Sequence, residues 1–457
     1  MSIDINKLLE NTKVVLSDKQ IDEIVNRAEN GFKAVVLTPH QEEIKNKVLE
    51  ALLDEESTKT KIVLSGSAGT GKTTCVNAII EEYMRKKRDR YKTMCYVLAP
   101  TNKAVNVLIE KNKPEFWKEF QTVHRALNLK RRIDNETGLV SYKPDKWMKN
   151  RPFESTALVV IDESSMLSKE MIGYLDKHKI PMIFLGDAKQ LPPVGEAESS
   201  VFTLPDAVKF ELTEIVRQAQ GNPIIELSQN LPLISLEEDN INDIGGYRFT
   251  KNLNKCVQLL LDNIGDSKYL AWTNANVDEV NSLVRLVRYG EHAAMIEIGE
   301  TLVMTEPFTN KETYYTSEEI DVETLIIREH NISVTCTGKQ RTKDCNSVTG
   351  SIKYYLLNTD IMVVHEDSKG AYGLMLKKLK SYIDTGIASW KDFYGFKEKF
   401  AHVAYSYALT VHKSQGSTYK KVIINVRDLN KNRTIDERNK LWYTAITRAS
   451  GNIILLT

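Results

Sequence analysis

Short apolar runs alternate with amphipathic segments through the first half of the chain. The runs are five or six residues long, and each is followed by a helix-like stretch or a turn. They occupy residues 61–65, 94–99, 157–161 and 182–186. Continuous apolar strands that alternate with helices are typical of a parallel sheet covered on both faces. The pattern therefore predicts an α/β fold.

The second half repeats this pattern at residues 268–273, 421–426 and 452–456. Between residues 295 and 400 the pattern changes: β-rich segments come first and a long amphipathic helical stretch follows. This block is predicted to be an insertion in a second α/β domain, and residues 122–154 a smaller insertion in the first. The predicted domains are an N-terminal extension at 1–36, a first domain at 37–210 and a second at 211–457.

Composition and charge exclude only a few classes of protein. The chain has 457 residues, 42% of them hydrophobic, and a net charge of +1. A near-neutral total neither indicates nor excludes nucleic acid, so any nucleic-acid site must be a local groove. The five cysteines lack zinc-site spacing, and no run of 18 apolar residues occurs. We therefore expect reduced thiols, no membrane partner and a cytoplasmic protein.

The segment GSAGTGKT at residues 66–73 has the spacing G-x-x-x-x-G-K-[ST], directly after a predicted strand and before a helix. Its backbone N–H groups and the following helix N-terminus can surround a phosphate. Lys72 adds a positive charge for the β- and γ-phosphates, and the Thr73 hydroxyl is a candidate ligand of Mg²⁺. The predicted nucleotide-binding residues here are Gly66, Ala68, Gly69, Thr70, Gly71, Lys72, Thr73 and Thr74.

Three further segments carry polar residues suited to ATP chemistry. In LVVIDESSM, Asp162 ends a buried strand and is the second candidate for Mg²⁺, while Glu163 is placed to polarise an attacking water. A helix N-cap is the alternative role for this segment. Gln190, after the strand MIFLG, is predicted to sense the γ-phosphate. Gln41 is a candidate for reading the adenine edge.

The ordered segments GSAGTGKTT, APTNKAV, TVHRAL, VIDESSM, GDAKQLPPVGE, LTEIVRQ, TVHKSQGSTY and YTAITRA resemble the superfamily one helicases, in particular the Dda-like and RecD-like groups. The resemblance runs from about residue 34 to 457. It implies two RecA-like P-loop domains with parallel sheets and ATP between them. It also implies a small β-hairpin in the first domain, and an SH3-like β-barrel with a helical arm at 295–400 in the second.

The resemblance assigns two catalytic arginines to the second domain, Arg217 in LTEIVRQ and Arg448 in YTAITRA, and adds Gly416 to the nucleotide site. An arginine supplied from the opposite domain compensates charge in the transition state, so hydrolysis would depend on closure of the cleft. Arg448 is expected to point at the γ-phosphate held by Lys72 and Thr73. A solvated surface arginine is the alternative interpretation of Arg448.

The same resemblance implies a track for single-stranded DNA across both domains. The residues expected to contact its backbone or bases are Thr101, Asn102, His124, Pro193, Val194, Thr410, His412 and Ser414. Residues 127–154 are predicted to form a β-hairpin, because DNETG has turn residues between two strand-like segments. Leu139 and Val140 near its tip are candidates for a wedge at a duplex fork, with Tyr142 as the next candidate. Packing of Leu139 and Val140 onto the body stays an equal alternative.

These features together predict an ATP-dependent DNA helicase that uses ATP and Mg²⁺, moves 5′ to 3′ on single-stranded DNA and unwinds duplex in replication or recombination. The expected partners are single-stranded and forked DNA, with replication or single-strand-binding proteins as further candidates. A viral origin, as in a bacteriophage, would place the protein in the cytoplasm of a host bacterium. The alternatives are an RNA helicase of the same superfamily and an ATP-timed clamp that does not unwind.

Overall fold

The computed structural model describes residues 37–54, 60–87, 92–112, 115, 117–134, 137–145, 153, 155–193, 195–216, 221–230, 240–242, 245–342 and 346–457. The predicted N-terminal extension at 1–36 lies outside the described residues, as do Val194 and Arg217. Within the described part of the chain, no helix is both long and apolar enough to cross a membrane.

The first half of the chain forms an open parallel sheet and a separate hairpin. Its strands are β1 (Lys61–Gly66), β2 (Met94–Ala99), β3 (Lys118–Thr122), β4 (Leu129–Ile133), β5 (Val140–Pro144), β6 (Thr156–Ile161), β7 (Met182–Gly186) and β8 (Ala207–Leu212). Its helices are α1 (Pro39–Leu53), α2 (Lys72–Lys87), α3 (Asn102–Lys111), α4 (Val123–Ala126) and α5 (Lys169–Leu175), and a short 3₁₀ helix spans Ser164–Met166. The sheet order is β3-β2-β6-β7-β1-β8, with every neighbouring pair parallel.

Helices cover both faces of this sheet, as the apolar runs predict. Successive residues of a strand point to opposite faces, and β1 shows the consequence. Leu64 packs with Ile79 of α2 in one core, whereas the neighbouring Val63 packs with Val123 of α4 and Ile172 of α5 in the other. The predicted boundary at residue 210 falls inside β8, which pairs with β1 as far as Leu212.

The second half forms another α/β sheet and the inserted block. Its strands are β9 (Asn240–Asn242), β10 (Gly245–Thr250), β11 (Ser267–Ala271), β12 (Thr301–Met304), β13 (Phe308–Thr309), β14 (Thr313–Tyr314), β15 (Glu319–Asp321), β16 (Leu325–Thr335), β17 (Ser347–Leu357), β18 (Ile361–Val364), β19 (Val403–Tyr405), β20 (Ala408–Thr410), β21 (Tyr419–Asn425) and β22 (Ala449–Leu456). Its helices are α6 (Pro223–Gln229), α7 (Leu253–Asp262), α8 (Asn274–Tyr289), α9 (Lys369–Asp384), α10 (Trp390–Lys397), α11 (Val426–Leu429) and α12 (Ile435–Ile446), with short 3₁₀ helices at Glu366–Ser368 and His412–Ser414.

The second sheet has the order β20-β11-β21-β22-β10-β9, and its strands are parallel except for β9. The α/β class with parallel sheets is therefore confirmed. In the inserted block, the described residues form three separate hydrogen-bonded sheets, β15-β12-β19, β13-β14 and β16-β17-β18. They share one apolar core that includes Leu302, Phe308 and Tyr355. A closed SH3-like barrel stays a prediction.

The hairpin of β4 and β5 joins the two halves of the molecule. Its strands pair antiparallel, and Gly138 near the turn has φ +70°, a conformation that favours glycine. A Cβ built on Gly138 would collide with the ring of Trp390 in α10. The Tyr394 hydroxyl donates to the Gly138 carbonyl at 3.0 Å, and Arg131 lies over the Tyr394 ring and pairs with Glu398. The hairpin of the first domain is thus docked on the helical arm of the second.

Candidate nucleotide site and nucleic-acid track

The phosphate loop connects β1 to α2 and has the backbone shape that its glycines allow. Gly69 and Gly71 have φ of +84° and +74°, values that side chains with a Cβ rarely adopt. The Lys72 ammonium donates to the carbonyls of Gly66 at 2.5 Å and Ser67 at 3.2 Å. Since α2 begins at Lys72, the loop leads directly into a helix N-terminus, whose free backbone N–H groups favour binding of a phosphate.

Gln41 supports this loop from behind. Its side-chain amide donates to the Thr70 carbonyl at 2.9 Å, and its side-chain oxygen accepts from the backbone N–H of Thr38 at 3.0 Å. The second bond belongs to a capping box that starts α1. In this conformation Gln41 orders the phosphate loop, and its predicted contact with adenine stays a prediction.

The acidic pair lies at the carboxyl end of β6, two strands from β1 in the sheet order. Glu163 has φ 48° and ψ 35°, a left-handed conformation, and its side chain makes no capping bond to the 3₁₀ helix that follows. The Asp162 carboxylate accepts from the Glu163 N–H at 2.8 Å. A non-glycine residue in this region costs about 1–3 kcal/mol, a strain often found at active sites. The geometry favours the catalytic role of the pair over simple helix capping.

The residues after β7 complete the first domain's side of the site. β7 is the direct neighbour of β1, and Gly186 pairs with Ser65 next to the phosphate loop. Gln190 is buried, and its side-chain oxygen has no hydrogen-bond partner. A buried amide oxygen of this kind can accept a hydrogen bond from a water or another donor in the site. Together with the Thr73 hydroxyl and the Asp162 carboxylate, the residues fit a nucleotide with a hard divalent cation.

The second domain reaches this site through α12. The Tyr443 hydroxyl accepts from the backbone N–H of Ala68 in the phosphate loop at 2.9 Å, and it donates to the Asp187 carboxylate. The next residue, Thr444, accepts from the backbone N–H of Leu191 at 3.2 Å through its side-chain oxygen. Two neighbouring side chains of α12 therefore contact the phosphate loop and the segment after β7 together.

Gln415 adds a second link between the domains. Its side-chain amide donates to the Leu191 carbonyl at 2.9 Å. A Cβ on Gly416 would come within 3.4 Å of the Thr101 hydroxyl, so the turn after β20 also approaches the start of α3. The structure thus brings Gly416 to the edge of the first domain.

Arg448 is buried and held inside the second domain. Its guanidinium donates to the carbonyls of Thr444 and Ser417, each at 3.2 Å, and to the Thr447 hydroxyl at 3.3 Å. The alternative of a solvated surface arginine is wrong, because the residue is 4% exposed. Its contact with a γ-phosphate stays a prediction.

The predicted track residues fall into exposed and internal groups. His124 is exposed, with its ring 5.8 Å from that of Tyr142, and Asn102 and Pro193 are partly exposed. His412 is partly exposed as well, and burial lowers its pKa. Thr101 is also partly exposed, and its hydroxyl oxygen caps α3 by accepting from the Ala104 N–H at 3.2 Å.

Two residues of the turn after β20 face inward. The Thr410 hydroxyl oxygen accepts from the Lys413 N–H at 3.3 Å, and the fully buried Ser414 donates to the Val411 carbonyl at 2.7 Å. In this conformation Thr410 and Ser414 shape the turn that carries His412. Their predicted contacts with DNA stay predictions.

The tip of the hairpin is open to solvent. Leu139 is 70% exposed and Val140 is 37% exposed. The contacts of the hairpin with α10 and with Glu398 directly after it run through Gly138 and Arg131. The interpretation in which both residues pack onto the body is wrong for Leu139, because 70% of it is exposed, and stays open for Val140.

Two family models match the chain. One is described as an AAA domain and matches residues 49–196, and the other is a UvrD-like helicase C-terminal domain that matches residues 405–456. The ATP-dependent DNA helicase dda of Enterobacteria phage T4 is 27% identical over 468 residues, covering 91% of this chain and 98% of the phage protein. The chain is related to the superfamily one helicases. The predictions of this family and of an ATP-dependent helicase as the enzyme class are confirmed.

Other similar proteins come from a different virus and from a bacterium. An uncharacterized protein of Acanthamoeba polyphaga mimivirus is 29% identical over 484 residues, covering 89% of this chain and 97% of that protein. Among solved structures, Bacteroides Pif1 bound to single-stranded DNA is 17% identical, covers 93% of this chain and 92% of its own, and superposes with a TM-score of 0.47.

Four residues of the helicase cleft were not assigned a role from the sequence: Asp187, Gln415, Tyr443 and Thr444. All four lie inside segments that carry the family resemblance, so the motif positions were visible. Their contacts join residues far apart in the sequence, 375 positions for Ala68 and Tyr443. The roles of Arg217 and Val194 stay predictions, because both lie outside the described residues.

Proposed function

We propose that this chain is an ATP-dependent DNA helicase that moves 5′ to 3′ on single-stranded DNA and separates duplex at a fork. The observation that carries the proposal is the pair of contacts from α12 to the first domain, Tyr443 to Ala68 and Thr444 to Leu191. A nucleotide site whose phosphate loop is bonded to a second α/β domain couples turnover to the arrangement of the domains. The relative from phage T4, the ATP-dependent DNA helicase dda, supports the choice of DNA over RNA.

The first domain supplies the groups for phosphoryl transfer to water. Lys72 balances the charge of the phosphates, and Glu163 orients the attacking water and accepts its proton as the bond to the bridging oxygen breaks. Gln190 presents its amide to the terminal phosphate. Thr73 and Asp162 would hold Mg²⁺, which neutralises phosphate charge when bound.

The second domain supplies the charge that makes hydrolysis conditional. Arg448 and Arg217 are proposed to approach the terminal phosphate when the cleft closes. For Arg448 this requires exchange of its present bonds to the Thr444 and Ser417 carbonyls for the phosphate. Release of the Ser417 carbonyl would link this exchange to the turn that carries His412, while Tyr443 keeps α12 on the phosphate loop.

The hairpin is the proposed wedge. Its exposed tip, Leu139 and Val140, directly follows Gly138, whose carbonyl is bonded to Tyr394 of α10 in the second domain. An aliphatic tip separates strands sterically but lacks the aromatic stacking on a base that is worth about 1–3 kcal/mol. Replication or recombination as the process, accessory replication proteins as partners and a bacterial cytoplasm as the compartment are part of the same proposal.

A steady-state ATPase assay with three conditions tests the function. The rate is measured with no polymer, with single-stranded DNA and with RNA of the same sequence. We expect a large stimulation by DNA and a smaller one by RNA. Equal or greater stimulation by RNA would favour an RNA helicase, and turnover that ignores every polymer would contradict a motor. ATPase activity that DNA stimulates without any strand separation on forked DNA would favour the alternative of an ATP-timed clamp.

A further inference from the structure

The Tyr443 hydroxyl occupies a position between two parts of the nucleotide site. It lies 2.9 Å from the backbone nitrogen of Ala68, the third residue of the phosphate loop, and it bonds the carboxylate of Asp187 after β7. Tyr443 is 2% exposed and Asp187 is also buried. Because Tyr443 belongs to α12, this hydroxyl is the point at which the second domain touches both elements.

The direction of the two bonds is fixed by the chemistry of the groups. A backbone N–H only donates, an ionised carboxylate only accepts, and a phenol carries one proton. Burial raises the pKa of Tyr443, and the charge of Asp187 raises it further, so the phenol stays protonated. The bonds therefore run from the Ala68 N–H to the phenol oxygen, and from the phenol proton to Asp187.

We propose that Tyr443 is a positioning residue for ATP hydrolysis. It acts by aligning the phosphate loop with Asp187 and with the second domain. This inference rests on the proposed function, since it concerns the same nucleotide site. The phosphate loop must keep its N–H groups aimed at the reacting phosphates, and a buried bond to one member of the loop fixes that aim. Loss of the hydroxyl would leave the Ala68 N–H without this buried partner. It would also remove one donor from Asp187, whose carboxylate still accepts from the Lys189 N–H at 3.0 Å, while nucleotide could still enter the loop.

Tyr443→Phe tests this role, because it removes one oxygen and keeps the ring. We expect kcat for ATP hydrolysis to fall about tenfold, the loss typical of one hydrogen bond to a charged group, while KM for ATP stays within about twofold of wild type. A residue that only packs α12 would change the thermal midpoint and leave kcat unchanged. The matched control is Tyr83→Phe, since Tyr83 is fully buried in the first domain and its hydroxyl bonds the Ala157 carbonyl at 3.3 Å.

A double-mutant cycle with Asp187→Asn separates alignment from independent damage. If the two groups act through one bond, the kcat of the double variant should be close to that of the worse single variant. The proposal would be overturned if the fold-losses of the two single variants multiplied in the double variant. It would also be overturned if Tyr443→Phe left kcat unchanged, or raised KM with kcat intact. The cycle compares the ratio of variant to wild-type kcat. This ratio can be measured whether or not DNA stimulates turnover, so the result tests the role of Tyr443 in either case. Failure of DNA to stimulate the wild type would overturn only the motor function.

Discussion

Single residues around the phosphate loop show how far a sequence motif determines a site. Lys72, Asp162 and Glu163 follow buried strands, and parallel strands bring their carboxyl ends to one edge of the sheet, so local sequence was enough to place them together. Tyr443 shows the limit of this reasoning. Its role depends on a bond to Ala68 across the cleft, and no local pattern of apolar and polar residues encodes how two domains meet.

The most direct prediction at this scale concerns Lys72. Lys72→Ala removes the charge over the phosphates, so ATP hydrolysis and unwinding should both be abolished. Binding of single-stranded DNA, measured by fluorescence anisotropy, should survive because the track lies elsewhere. ATPase activity near the wild-type level would show that the nucleotide site is wrongly assigned.

Arg448 gives a sharper prediction. Arg448→Ala should slow hydrolysis by about 10³-fold or more, with a much smaller effect on ATP affinity, because the charge matters most in the transition state. Arg448→Lys should rescue poorly, since an ammonium lacks the planar fork that can bond two phosphate oxygens at once. Thermal midpoints of both variants control for loss of these buried bonds. Weakened ATP affinity with an intact kcat argues against the proposed role.

At the scale of elements, the regular alternation of strands and helices was predictable and the docking of elements was not. The predicted strand at 94–99 coincides with β2, and the turn chemistry of DNETG predicted the hairpin of β4 and β5. The contact of that hairpin with α10 joins residues more than 250 positions apart. The sequence places Trp390 in a helical segment, but it does not show that this ring contacts Gly138.

The hairpin tip can be tested without disturbing its docking. Leu139→Ala with Val140→Ala should cut duplex unwinding several-fold and leave DNA-stimulated ATPase near wild type. Because both side chains are exposed, stability should change by less than about 0.5 kcal/mol each. The matched control is Leu286→Ala with Val287→Ala on α8, an exposed pair of the same residue types. Equal losses of unwinding in the two double variants would place the wedge elsewhere.

Across the whole molecule, one carboxylate joins both domains and the inserted block. Glu319 of β15 lies 3.2 Å from the Lys103 ammonium of α3 and 3.3 Å from that of the buried Lys268 of β11. Burial by itself would raise the pKa of Glu319, but the charges of Lys268 and Lys103 outweigh it and lower that pKa. Lys103 directly follows Asn102, so this junction lies beside the predicted track.

Glu319→Gln should lower the midpoint of thermal unfolding at pH 7 by about 1 °C for each kcal/mol lost if the chain unfolds as one unit, and by about 2–4 °C if a single domain unfolds. A carboxylate with a lowered pKa stabilises the fold above its unfolded pKa of about 4.3 and loses that effect as pH falls through the lower folded value. The gap between wild type and variant should therefore shrink as pH falls below about 4. Exposed Glu323→Gln serves as the control. A gap that does not change with pH would show that the charge pair is not its source.

The central claim is that ATP turnover in this two-domain cleft drives strand separation. The most direct measurement follows release of a labelled strand from a duplex with either a 5′ or a 3′ single-stranded tail, with and without ATP. We predict ATP-dependent release from the 5′-tailed duplex and little from the 3′-tailed one. Release from the 3′ tail alone would reverse the direction of movement. No ATP-dependent release from either substrate would contradict the assignment as a helicase.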